Sequence, residues 1–275
     1  MIICSIALLS LGIQFFSSQT ISKWGASLFL IAGVMMLVRF IQKENEKQEP
    51  FIRYTLLRNP IYALSVMISA VQDAVMFGVI FVLPLMFQEV FQLSPSLTGA
   101  MFIPTAIFTS LFVWIGGYFL DSGKPLYFIA YGIVLMTLSI SLFAFIPQEV
   151  PLFVLVLLMS LRGMGNGLSD MTITTIGLNA LPEEDLHEGS ALSNTIQRLF
   201  SSFTVMLLAL YYDIRWQSMV QSGETMEAAK WLTLKEECIA LGCLLFATLP
   251  LVLFIVRKNR RKVDIDAGNR RQSAV

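Results

Sequence analysis

"LRGMGNGLSDMTITTIGLNALP", residues 161–182, lies in one of the most apolar regions of a 275-residue chain. Within it Arg162, Asn166 and Asp170 recur at a spacing of four. On a helix that spacing puts the three on one face. A polar stripe in a segment otherwise fit for lipid has to face something other than lipid. The surrounding chain sets that frame. It is 56% hydrophobic and 14% charged, against roughly 25% charged in a soluble domain. Runs of about 18 or more apolar residues recur from end to end, each able to cross a ~30 Å hydrocarbon core. The chain therefore reads as an all-α polytopic membrane protein.

About eight spans follow, at 1–17, 23–41, 61–87, 96–119, 126–146, 151–180, 188–212 and 234–256. The first lacks the basic n-region and small-residue cleavage site of a signal peptide. It is read as a span, expected to be truncated at its start. The organisation is a pair of spans (1–42), a basic loop (43–60), six spans (61–262) and a polar tail (263–275) expected to be disordered. A longer polar external loop is expected at about 213–233, edged by Tyr211, Tyr212, Trp216 and Trp231, since such rings favour the membrane interface.

Lys and Arg in short loops set orientation. The segment "RKNRRK" (257–262), the basic loop and "DSGKP" (121–125) fall on one side, read as cytoplasmic. Thirteen basic residues then lie inside and four outside, with Arg162 and Arg198 inside spans. Both termini are expected in the cytoplasm. The basic clusters sit between spans, so they carry no nucleic-acid footprint. His187 is the only histidine and the three cysteines form no CxxC spacing. No metal site or cofactor is expected. No nucleophile–base cluster is visible either, so an enzyme is not expected.

Asp73, Arg162 and Arg198 lie near the middle of three different spans, roughly 15–18 Å deep. A charge there costs at least about 2.5–3.5 kcal/mol, so it faces a cavity or a partner. Two readings stay open: the stripe Arg162–Asn166–Asp170 lines a translocation path, or it forms structural pairs such as Arg162 with Asp73. Gln72 points about 100° away from Asp73 on a helix, so both are internal only if that helix is largely buried. Gln197 beside Arg198 poses the same question, and Asn194 joins them as a candidate lining residue. The fifth span and residues 238–256 of the eighth carry no charge and suit lipid-facing positions. Gly163 and Gly167, four apart, allow close helix contact. A nucleotide-loop reading of "RGMGNG" fails, because no strand precedes it.

The stretch "LPLMFQEVFQLSPSLTGAMFIP" (83–104) resembles the start of the C-terminal half of major facilitator superfamily drug:proton antiporters. The similarity is greatest to the fourteen-helix EmrB/QacA type, including LmrB-like members. "LRGMGNGL", "TTIGLNALP" and "GSALSNTIQRL" follow in the family's order and spacing. The pattern positions include Arg162, Gly163, Gly165, Thr174, Thr175, Gly177, Asn179, Gly189, Asn194 and Arg198. "GGYFLDSGKP" resembles the family's cytoplasmic gating loop, with Gly117, Asp121 and Lys124, but lacks the arginine after the aspartate. Asp170 also departs from the pattern, which is usually apolar there.

The resemblance implies that the last six spans form the C-terminal bundle of a major facilitator fold in a cell membrane, expected to be bacterial. It implies export of a small amphiphilic substrate against protons, with Asp73 as the candidate coupling acid. An N-terminal half-transporter is then a candidate partner, besides membrane lipid. The alternative is a truncated, non-transporting membrane protein or interaction subunit whose intramembrane charges are structural.

Overall fold

The computed structural model describes residues 54–121 and 125–255, with a few helical positions between 28 and 39. The first two spans, most of the basic loop, Lys124 and the tail lie outside the described residues. A 3-10 turn, Tyr54–Arg58, leads into α1, Pro60–Leu85. Asn59 caps α1: its side chain accepts from the amides of Ile61 and Tyr62 and donates to the Ala180 carbonyl at 2.7 Å. Pro60 suits the first helical position, where its missing N–H is no loss. Pro84 lies near the end of α1, and a π turn, Met86–Val90, continues it. The remaining helices are α2 (Pro95–Ala100), α3 (Phe102–Asp121), α4 (Pro125–Phe145), α5 (Leu152–Leu178), α6 (Leu186–Gln221) and α7 (Met226–Phe246). Helix α7 resumes after a short turn and reaches Ile255.

Five described helical segments are long and apolar enough to cross a membrane: Pro60–Val90, Pro95–Tyr118, Tyr127–Phe145, Leu152–Leu178 and Met226–Ile255. Helix α6 is more polar, yet it runs beside α1 over the same thickness. Tyr62 near the start of α1 donates to the Gly189 carbonyl, and Tyr212 reaches Glu89 at the far end.

The expected external loop at 213–233 is a correction. Helix α6 continues to Gln221 and α7 begins at Met226, so only four residues connect them. Ion pairs and aromatic contacts hold these polar ends helical. Arg215 grips Glu236 through two nitrogens at 2.9 Å each, and Lys230 reaches Glu89 at 3.2 Å. The chain reverses at Gly223, whose φ of +103° favours glycine.

The packing has an internal regularity. Helix α5 packs on α3, α4 and α1, while α1 packs on α6, α7 and α5, and α4 meets α7. Exchanging α1 with α5, α3 with α6 and α4 with α7 maps these principal contacts onto themselves. That is the arrangement of a three-plus-three inverted repeat. Helix α1 is the most buried of the five apolar segments and Pro95–Tyr118 the least. The charge-free fifth span, α4, has two faces: Tyr131, Val134, Leu138 and Phe145 are exposed, as a peripheral position requires, while Ile129, Ile133, Met136, Ile140 and Phe143 are buried in the core. The most exposed helix is α3, whose Ile103, Ile107, Leu111, Trp114 and Tyr118 form one outward stripe. Absence of charge permits lipid contact but does not choose it; the small residues of α5 decide which helices it holds.

Candidate functional site

The glycines of the opening stretch build the scaffold. A Cβ on Gly163 would sit 2.5 Å from the Thr105 carbonyl oxygen, and one on Gly167 2.5 Å from that of Thr109. Thr105 and Thr109 are also four apart, so the two helices mesh in register. The Thr105 hydroxyl donates to the Met159 carbonyl at 2.8 Å and that of Thr109 to the Gly163 carbonyl at 3.2 Å. Gly165, on another side of α5, meets Gly132 of α4 backbone to backbone. With α3 and α4 so close, Ser169 and Thr174 of α5 turn to α1.

Helix α1 presents two polar faces. Gln72 is buried and donates to Ser169 of α5 at 2.8 Å, and Ser69 meets Thr174 at 3.1 Å. One residue on, Asp73 faces α6. Arg198 lies 3.5 Å from its carboxylate, and the Ser201 hydroxyl donates to the same oxygen at 3.0 Å. The Asp73 side chain is 12% exposed and that of Arg198 63%. Phe77, one turn along α1, lies under the guanidinium, 5.2 Å from ring centroid to carbon. A cation over an aromatic face is attracted by the ring quadrupole. Asp170 of α5 lies within electrostatic reach of both Asp73 and Arg198. Two carboxylates and one guanidinium, from three helices, thus share one polar seam.

The other candidates are distributed more widely. Asn166 is half-buried on α5. Asn194 is exposed on α6, and Gln197 donates to Ser193 of its own helix at 3.1 Å. Arg162 is 3% exposed, and its Nε and Nη1 have no hydrogen-bond partner among the described residues. It does not pair with Asp73, whose cation is Arg198. That corrects the pairing named above: Arg162 lies on α5, while the Asp73 carboxylate turns to α6. Gly117 is exposed near the end of α3, and Asp121 is its last residue.

Sequence reasoning missed a second polar layer. Tyr212 and Lys230 converge on Glu89, Arg215 and Tyr211 on Glu236, and Glu237 beside it is fully buried. Starting the last span at residue 234 placed both glutamates at its rim. The signal for a longer helix was present in Thr225, which caps α7 by accepting from the Ala228 amide at 3.3 Å, and in the lack of any breaker after it.

The Major Facilitator Superfamily profile matches residues 1–205. Among curated proteins, the chain is 28% identical over 198 residues to YcnB of Bacillus subtilis, an uncharacterized transporter of that type, covering 70% of this chain and 42% of YcnB. It is 24% identical over 170 residues to the lincomycin resistance protein LmrB of the same organism, covering 62% and 36%. A multidrug resistance protein B homolog of Mycobacterium tuberculosis is 27% identical over 210 residues, covering 75% and 38%. The chain thus spans well under half of the length of these relatives. The profile covers most of the chain, its described residues are helical with spans fit for a membrane, and their packing repeats in threes. The chain belongs to the Major Facilitator Superfamily.

Proposed function

We propose that the chain is the C-terminal part of a secondary transporter of the fourteen-helix EmrB/QacA type, exporting small amphiphilic compounds by proton antiport once an N-terminal half completes it. The drug-resistance names of LmrB and the mycobacterial homolog support the substrate class. Alternating access requires two bundles about a shared midplane site, and residues 61–262 supply one.

The observation that carries the reading is the seam at Asp73. Two acids, Asp73 and Asp170, share the charge of Arg198. The seam thus holds one more carboxylate than guanidinium, a composition that suits a positively charged ligand. Arg198 is the exposed member, so protonation of Asp73 releases a side chain already free to move. The released guanidinium would then be open to the N-terminal half or to solvent in the path. Arg162 has a separate role in this reading, as a buried cation that polarises the region around the α5 stripe.

The test is Asp73→Asn in the transporter completed by co-expression with a six-helix N-terminal half. Proton-dependent efflux of a fluorescent amphiphile should fall to background, with normal protein in the membrane. Normal efflux at normal protein levels would remove Asp73 from the mechanism. If the wild-type pair also fails to transport with every such half, the alternative of a non-transporting subunit stands. Orientation is tested separately. Reporter fusions at residues 48 and 265 should read cytoplasmic and one at 222 external, in a bacterial plasma membrane; the reverse pattern would overturn the topology.

A further inference from the structure

Away from the Asp73 seam, a half-open cavity of about 390 Å³ lies between α6 and α7. Its wall includes Thr204, Leu207, Tyr211, Leu241 and Leu244, and two acids, Glu236 and Glu237. Leu207 follows Arg198 by nine residues, about 180° around a helix. The cavity therefore lies on the opposite flank of α6 from Arg198. Its size falls within the range of roughly 300–1,000 Å³ usual for small-molecule pockets.

Glu237 is 1% exposed, and neither carboxylate oxygen has a hydrogen-bond partner among the described residues. The cations nearby in sequence are engaged. Arg215 is held by Glu236 through two bonds of 2.9 Å, and Tyr211 adds a third at 2.5 Å. Lys230 is paired with Glu89 and lies over Trp216, and Lys235 stacks on Trp231 at 3.8 Å. Glu237 follows Lys230 by seven residues, roughly 10 Å further along the helix. A buried carboxyl without a partner is costly unless a proton or a counter-cation neutralises it. The adjacent cavity offers that counter-cation a place, with apolar walls for whatever the cation carries.

The geometry points to a second, lateral ligand site between α6 and α7 that takes a lipophilic amine, its ammonium on Glu237 and its apolar tail along Leu207, Leu241 and Leu244. A side-chain rotation would open the covered Glu237 carboxylate to the ammonium, which then donates to its unmet oxygens while the tail lies along the groove. Glu236 is unsuited to the role, because Arg215 and Tyr211 already saturate it.

The experiment uses the full chain in nanodiscs of phosphatidylglycerol and phosphatidylcholine, which contain no primary amine. The probe is a dodecylammonium analogue with a diazirine on its tail, and labelled peptides are mapped by mass spectrometry. Saturable labelling should fall on Leu207, Leu241 or Leu244. Unlabelled dodecylammonium should compete about thirtyfold better than dodecanol, as expected for a buried charge pair. Glu237→Gln should abolish that preference and Glu236→Gln should not. Leu244→Trp, which fills the cavity, should remove labelling while helix content and thermal stability hold. Equal competition by dodecanol would show a groove for any alkyl chain and overturn the proposal. So would a preference that survives Glu237→Gln, or labelling confined to other helices. The readout needs neither transport nor a second half, so it stands or falls apart from the Asp73 reading.

Discussion

The α3·α5 seam and the α1·α6 seam are counterparts under the internal exchange of helices, and both pairs run parallel. Their materials are opposite. Between α3 and α5 the contact is backbone on backbone, set by Gly163, Gly167 and the facing threonine carbonyls. Between α1 and α6 long side chains make the contact: Tyr62 on the Gly189 carbonyl, Asp73 with Arg198 and Ser201, and Leu208 over Gly78. Close backbone contact leaves no room for rearrangement, because interiors are packed like crystals. A seam of long polar side chains has alternative partners and can reset. The difference teaches which half of the bundle is the frame and which can take part in a switch.

The comparison breaks first at the glycines. Gly163→Leu or Gly167→Leu should cost about 3 kcal/mol or more, at the upper end of overpacking effects. Loss of monodisperse protein in size-exclusion profiles is the expected result; normal thermal unfolding would show that the frame is soft. Gly189→Ala sharpens the contrast. Its added Cβ would meet a flexible leucine end, Leu181 Cδ1, rather than backbone. A loss of about 1 kcal/mol or less is expected in chemical unfolding, below the usual overpacking range.

Charge gives smaller effects than the frame glycines. Arg162 is buried with two unpartnered nitrogens, so Arg162→Met should leave stability unchanged or raise it by about 1 kcal/mol, as for other poorly compensated buried charges. A drop in melting temperature would mean that Arg162 has a partner of real strength. Arg198→Ala removes an exposed side chain at 3.5 Å. It leaves Asp73 with only the Ser201 hydroxyl, so it should cost about 1–3 kcal/mol, between exposed and buried ion pairs. A larger loss would move the α1·α6 seam into the frame and weaken its reading as a switch.

Periodicity made the spans legible, and the spacing of 163 and 167 marked a packing face before any partner was known. Which helix fills that face was not legible, since α3 and α4 are equally apolar. The answer depends on threonines and a glycine far away in sequence. The polar stripe on α5 was visible for the same periodic reason. The cation belonging to Asp73 was not, because Arg162 and Arg198 lie at similar depths and only the fold tells them apart. The hairpin of α6 and α7 was hidden by a composition rule. Its polar residues read as loop, whereas pairing across the two helices satisfies them in helical form. Glu237 was lost with it.

Helix α6 has one further property, which comes from its length. Its 36 residues extend about 54 Å at the usual rise, well beyond a ~30 Å core. At its far end it is clamped by Tyr212 to Glu89 and by Arg215 to Glu236. At mid-length its polar tie is one long ion pair and one hydroxyl. Tyr62 ties its start through the Gly189 carbonyl. Such a rod flexes between two fixed points, and Arg198 and Asn194 lie on the stretch between them. Spin labels at 215 and 198 would record this as a broad distance distribution to α1 at the second position and a narrow one at the first.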